Sequence, residues 1–223
     1  MMQKMEVKEF YDRHNFPGHY APDAVSSYLG QNRFIKQIDK YIPASKRVLD
    51  AGCGTGFISN YFAFKYPQSH FYGVDFSNSI EHARHVSSEL SLSNIVHFKG
   101  DICEFGLQDS FDTIICQGVL HHIPNYQMAV KNLKKLLSLN GNLLIGVYHP
   151  FSKKVQKILP LKYESDILKT DQLKNPFELS FTKSQVCKLF HEFKLIEYDP
   201  FSLFNFKNGG LTIYVFRKEN SCV

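Results

Sequence analysis

The sequence predicts an α/β fold built on a mostly parallel sheet. Three observations predict it. Short apolar segments alternate with amphipathic ones along most of the chain. The stretch Val48-Leu49-Asp50-Ala51-Gly52-Cys53-Gly54-Thr55-Gly56 joins a strand to a helix through a loop with three alternating glycines. Near the end, Asn208-Gly209-Gly210 reverses the chain where earlier strands are joined by helices, so the last strand is expected to run antiparallel.

The elements follow in order. Residues 1–45 begin without regular periodicity, and Pro17-Gly18 marks a turn. A helix is expected over Ser26 to Tyr41, with Tyr28, Leu29, Phe34, Ile35 and Ile38 on its apolar side and Pro43 ending it. Strand Arg47–Ala51 precedes helix Gly56–Lys65, and strand His70–Asp75 precedes helix Asn78–Ser91. Strands Ile95–Lys99 and Phe111–Cys116 come next, the latter apolar enough for a sheet interior. Helix Tyr126–Ser138 carries Val130, Leu133, Leu136 and Leu137 at core spacing, and Asn140-Gly141 turns into strand Asn142–Tyr148. Residues 149–180 break the rhythm with Pro150, Pro160 and Pro176, a length that suits a cap or lid. Thr182 caps a helix to Phe190, followed by strands Lys194–Tyr198 and Leu211–Arg217.

Composition bounds the function. The 223 residues suffice for one substantial α/β domain with a full core, since 43% are hydrophobic. The net charge of +5 is modest and scattered. The run Lys153, Lys154, Lys157 and Lys162 reads first as a solvated helix face, with attraction to an anionic substrate or membrane as the alternative, and no long nucleic-acid stripe accompanies it. The five cysteines form no CxxC pair and show no zinc spacing, so no metal is expected. No signal peptide or long apolar run is visible, and a reduced, cytoplasmic location is expected, as a monomer or homodimer.

Gly52, Gly54 and Gly56 let a ligand lie against the main chain at the carboxyl edge of the sheet. The pattern is GxGxG with Phe57 where a dinucleotide fingerprint would hold its third glycine, and no P-loop Lys follows. Asp75 closes the second strand, where a carboxylate can accept hydrogen bonds from both ribose hydroxyls, although a helix cap is the plainer use. Asp101 follows the third strand, where it can accept from a base amine or simply shape a turn. Ile102 and Phe76 can sandwich the base, and Asp50 can orient the loop or meet a positive charge.

Taken together, these residues resemble those of class I S-adenosylmethionine-dependent methyltransferases. VLDAGCGTG at 48–56 matches that family's first motif, YGVDFS at 72–77 the second and GDI at 100–102 the third. FDTIICQGVLHHI at 111–123 matches the fourth, and GNLLIGVY at 141–148 the following strand. The resemblance spans about residues 30–217. It implies a three-layer αβα sandwich, Rossmann-like, with seven strands and the last antiparallel. It also implies S-adenosyl-L-methionine as cofactor, with Asp75 on the ribose, Asp101 on the adenine amine and Ile102 stacked on the ring. Gly52 and Gly54 would lie against the ribose and methionine portion, with Cys53 and Gly56 completing the loop. Gln117 would approach the methionine end, and Asp50 would help position its amine. Residues 1–45 then form a capping arm and helix, and residues 46–223 the methyltransferase domain with the 149–180 insertion.

A sulfonium methyl is already electrophilic, so the protein's task is to align an acceptor and exclude water. A base is needed only where the acceptor loses a proton. His121 and His122, just past Gln117, are the nearest candidates, with His121 slightly preferred, although a structural role is at least as plausible for each. Tyr11 and Tyr20 sit in FYDRHNFPGHY at 10–20, together with His14 and His19, and reach the methionine end if that arm folds over the cofactor. His149 ends the fifth strand at the same rim, and Phe151, Phe201, Phe204 and Phe206 can shape an apolar acceptor pocket, although core or lid packing explains each alone equally well. A small-molecule acceptor, reacting at O, N or C, is the leading expectation. RNA or protein methylation is the alternative, weakened because the stretch after the fourth strand, Cys116-Gln117-Gly118-Val119, lacks an NPPY-like tetrapeptide. A non-catalytic cofactor-binding protein acting through partners is a further alternative.

Overall fold

The computed structural model describes residues 2–30, 32–107, 110–152, 154, 175–200 and 211–219. Seven strands form one sheet: β1 (Arg47–Ala51), β2 (His70–Asp75), β3 (Ile95–Lys99), β4 (Phe111–Gln117), β5 (Leu137–Tyr148), β6 (Lys194–Asp199) and β7 (Leu211–Arg217). Their order is β3-β2-β1-β4-β5-β7-β6. The first five pair in parallel, and β7 is antiparallel to both β5 and β6. This is the Rossmann-like architecture that the sequence predicts.

Strand periodicity builds the layers. Adjacent residues point to opposite faces, so each apolar pair feeds two cores. Val48, Ile115, Leu144 and Val215 pack on one face against α3 (Arg33–Asp39), α4 (Phe57–Lys65) and α5 (Ile80–Glu89). Leu49, Ile114, Leu143 and Phe216 pack on the other face against α6 (Tyr126–Leu136) and α7 (Lys183–Leu189). Burial on both faces explains the consecutive apolar residues at the centre of these strands, Val48-Leu49 in β1, Ile114-Ile115-Cys116 in β4 and Leu143-Leu144-Ile145 in β5. Thr182 and Gln185 complete a reciprocal capping box that starts α7.

The chain winds outward from β1 to β3, then returns to β4 on the other side of β1. That reversal opens a crevice at the carboxyl ends of β1 and β4, the place where open α/β sheets bind ligands. The glycine loop lies there. Its Gly52 and Cys53 N–H groups both donate to the Val74 carbonyl at the end of β2.

Four expectations need correction. The N-terminal segment is not irregular: α1 runs from Met2 to Arg13. It buries only Val7, so an apolar stripe gave no clue. The clues were helix-favouring residues and the i,i+4 pairs Lys8–Asp12 and Glu9–Arg13. The single helix expected from Ser26 to Tyr41 is two helices, α2 (Pro22–Ser26) and α3, separated where Gly30 adopts φ +64°. Leu29 beside that break is 81% exposed and not part of an apolar side. Strand β5 begins at Leu137, five residues earlier than expected, and α6 stops at Leu136. Asn140 (φ +61°) is absorbed within that strand, where its N–H donates to the Lys218 carbonyl. The turn at 208–210, the aromatic group Phe201, Phe204 and Phe206, and most of the 149–180 insertion lie outside the described residues.

Candidate active site

A cleft of about 520 Å³ opens over the carboxyl ends of the parallel strands. Its size falls within the range of roughly 300–1,000 Å³ that holds most small ligands. Gly52 and Gly54 form part of its floor, and Asp75, Phe76, Asp101, Ile102 and Gln117 line it from the ends of β2, β3 and β4. From the other side, α1 lays Lys4, Val7 and Tyr11 over the opening. Val119, His122 and Met128 close the remaining end.

Asp75 is buried at the end of β2. One carboxylate oxygen accepts the Gly54 N–H at 2.8 Å. The other accepts the Ser77 N–H at 2.9 Å and the Ser77 hydroxyl at 2.6 Å. The acid thus couples the glycine loop to the turn after β2 while still facing the cleft. Asp101 takes the Cys103 N–H at 2.8 Å and is ion-paired with Lys4 from α1. Burial pushes its carboxyl up, but the Lys4 and Cys103 hydrogen bonds outweigh that and leave it below the usual range.

Gln117 also lines the cleft, and its buried Oε1 has no hydrogen-bond partner among the described residues. Asp50 lies beneath the loop, only 5% exposed and outside the cleft lining. Burial raises its carboxyl to about 7; a Ser59 hydrogen bond opposes the rise and the Asp75 charge adds to it. Its Oδ2 lacks a partner among the described residues. Such buried acceptors fit a ligand that brings donors.

His121 and His122 ride on a 3-10 turn, Leu120–His122, directly after β4. His122 lines the cleft, whereas His121 is fully buried behind it against Tyr148, with ring centroids 4.4 Å apart. Phe177 offers a carbonyl 3.2 Å from His122 Nδ1. A carbonyl can only accept, so Nδ1 carries the proton and Nε2 is the basic nitrogen of the neutral ring. Tyr11 packs edge-on to His122 at 5.9 Å and accepts a hydrogen bond from Asn175 Nδ2 at 3.0 Å. The Asn175–Phe177 segment therefore holds both side chains.

Besides Asp50, three residues expected at the cofactor, Cys53, Gly56 and Tyr20, do not line the cleft. The Cys53 thiol is buried near Gly73, and burial pushes it well above its usual value. Gly56 (φ +78°) caps α4, and a Cβ there would meet the Ala83 Cβ at 2.5 Å, so this glycine serves helix packing. The Tyr20 hydroxyl donates to the Thr55 carbonyl at 2.9 Å and does not line the cleft. Conversely, Lys4, Val7, Phe16, Val119 and Met128 line the cleft without a sequence cue of the kind that marks the acids and glycines.

Comparison with known proteins identifies the family and the fold. A family profile described as a methyltransferase domain matches residues 42–194. A malonyl-[acyl-carrier protein] O-methyltransferase from Bacillus cereus is 31% identical over 105 residues, covering 47% of this chain and 38% of the relative. An (S)-coclaurine N-methyltransferase from Papaver somniferum is 29% identical over 152 residues, covering 65% of this chain and 42% of the relative. The chain thus spans about two fifths of the length of these curated relatives. Among solved structures, the magnesium protoporphyrin IX methyltransferase from Synechocystis with bound S-adenosylmethionine superposes with a TM-score of 0.68 at 17% identity, covering 97% of both chains. The glycine loop, the strand-end acids, the sheet order and the family match together make this chain a member of the methyltransferase domain family.

Proposed function

We propose that the protein transfers the methyl group of S-adenosylmethionine to an O, N or C centre of a small molecule. The observation that carries the proposal is the meeting of Asp75 and Asp101 in one cleft beside Gly52 and Gly54. Carboxylates at the ends of successive strands suit a ribose and an exocyclic amine held side by side. The unpartnered Gln117 Oε1 in the cleft suits the ammonium end of an amino acid, and Asp50 beneath the loop adds its charge from behind.

In this reading Asp75 holds the ribose hydroxyls and Asp101 receives the adenine amine once Lys4 yields its place. Ile102 and Phe76 stack against the base. Gly52 and Gly54 carry the ribose and methionine portion, and Gln117 faces the methionine end. When bound, the cofactor supplies an electrophilic methyl group. The chain orients an acceptor against the wall of Tyr11, Val119, His122 and Met128, and α1 keeps water from that space. His122 Nε2 takes the proton of an acceptor that must lose one. A roof formed by the chain's own helix, whose Lys4 is already ion-paired, favours a small acceptor over a nucleic acid. Residues 1–45 serve as the cap of the 46–223 domain.

The direct test is calorimetry with S-adenosylmethionine and S-adenosylhomocysteine. Binding of both is expected, and binding of neither would remove the proposal. Asp50 gives a second readout. Its carboxyl is raised to about 7, so it is partly protonated in the free protein near that pH. A cofactor ammonium nearby lowers it, so binding releases a proton. The binding enthalpy near pH 7 should vary with the buffer's ionisation enthalpy, and the variation should fade well above pH 7, where Asp50 is already ionised. For an acceptor that loses a proton, His122→Ala is expected to lower kcat by about a hundredfold or more. Binding of S-adenosylhomocysteine should be retained in that variant, and transfer of a labelled methyl group measures the loss.

The proposal extends to a reducing cytoplasm and a monomer or homodimer. Cys53, Cys103, Cys116 and Cys187 are all free. Among the described residues no helix is long and apolar enough to cross a membrane.

A further inference from the structure

The geometry points to Tyr20 and Asn60 as positioning residues that act through the Thr55 peptide groups to fix the glycine loop and the cleft wall. The inference rests on the cofactor reading above and adds to it a role for residues outside the cleft.

The hydrogen bonds have one consistent direction. Asn60 Nδ2 lies 3.1 Å from the Ala83 carbonyl and 3.2 Å from the Tyr20 hydroxyl. A carbonyl only accepts, so the amide nitrogen, not its oxygen, occupies that position. Its second proton then points at the Tyr20 oxygen. Tyr20 must therefore spend its own proton elsewhere, and the Thr55 carbonyl accepts it at 2.9 Å. On the other side of the same residue, the Thr55 N–H donates to the Phe16 carbonyl at 3.0 Å. Thr55 and Asn60 are both fully buried, so water cannot replace these partners.

The segment from Phe16 to Tyr20 thus grips the loop through both main-chain groups of Thr55. The grip requires close approach. A Cβ on Gly54 would stand 2.1 Å from the Phe16 carbonyl oxygen. Phe16 and Gly54 then line the cleft side by side. A change at Tyr20 reaches the ligand only through Thr55, so it alters how well the cleft is preformed and not the transfer step.

Tyr20→Phe tests this. The ring keeps its edge contacts with Phe57 at 5.0 Å and His82 at 4.8 Å, and only the donor is lost. The Kd for S-adenosylhomocysteine and the KM for S-adenosylmethionine are expected to rise about three- to tenfold, the weight of one hydrogen bond. The kcat at saturating cofactor should be nearly retained. An unchanged Kd in the folded variant would overturn the inference and leave Tyr20 a packing residue. Should the variant fail to fold, amide exchange on the unaltered protein decides. A Thr55 N–H strongly protected in the ligand-free chain supports the grip, and exchange at the rate of an open peptide refutes it. If the unaltered protein binds S-adenosylhomocysteine while Tyr20→Phe binds equally well, only this inference fails. If the unaltered protein does not bind it, the cofactor reading fails.

Discussion

Replacing Asp75 with Ala is expected to weaken S-adenosylhomocysteine binding by more than about a hundredfold. Two losses combine. The ribose loses a charged acceptor, and a hydrogen bond to a charged group contributes about 1.5–3 kcal/mol. The protein also loses the acceptor of the Gly54 N–H, so the loop that supports the ligand is no longer tied to β2 through this side chain. Together about 3 kcal/mol or more is removed from binding, which corresponds to at least about two decades in Kd. Asp75→Asn should lie between, because an amide oxygen can still accept one bond without the charge. Titration calorimetry with melting curves on each variant separates affinity from folding. Full affinity in a folded Asp75→Ala protein would take Asp75 out of the site.

Gly54→Ala is expected to abolish measurable cofactor binding and to lower the melting temperature by about 5–10 °C. Gly54 sits at φ +55°, a conformation that costs a residue with a Cβ about 1–2 kcal/mol. The larger effect is steric. The new methyl would meet a backbone oxygen, that of Phe16, at 2.1 Å, and backbone cannot rotate aside as a side chain can. Either the 16–20 segment leaves the loop or the loop itself shifts, and both disturb the cleft wall. Gly118→Ala is the matched control for stability, since Gly118 has a similar positive φ (+72°) but a Cβ there meets nothing within 4 Å. Equal losses of stability in the two variants would assign the effect to backbone strain alone. A much larger loss at Gly54 isolates the contact with Phe16.

The central sheet and Asp75 were legible because one physical requirement wrote both. Strands buried on two faces must be apolar, so an acid at the end of a run stands out, as Asp75 does after Val74, whereas Asp101 follows the half-exposed β3 and stands out only through the Gly100-Asp101-Ile102 motif. The N-terminal helix shows no apolar stripe because its attachment is mostly polar, so only propensity and its i,i+4 pairs mark it in the sequence. It is held by the Lys4–Asp101 ion pair and by Asp12 accepting the Asn78 N–H at 2.7 Å, and Val7 is its only buried residue. Partners so distant in sequence leave no periodic trace.

Facing direction was the other gap. His121 and His122 are adjacent and chemically identical, yet the tight turn that carries them sends one into the core and one to the cleft. Cys53 and Gly56 belong to the loop without touching its open side. Tyr20 is expected near the methionine end of the cofactor, yet its hydroxyl meets the Thr55 carbonyl, and a sequence does not say whether a hydroxyl meets a ligand or the main chain. Composition and spacing identify which residues gather near a site. The side-chain network decides which of them reach into it.

The position of β7 has a consequence for how the chain is made. Residues 211–217 form not an edge but an inner strand, wedged between β5 and β6. During synthesis β5 emerges with an open edge, and β6 has nothing to pair with until β7 follows. A ribosome-borne chain therefore carries an unfilled slot in its sheet, of the kind that captures stray strands, until residues 211–217 have emerged.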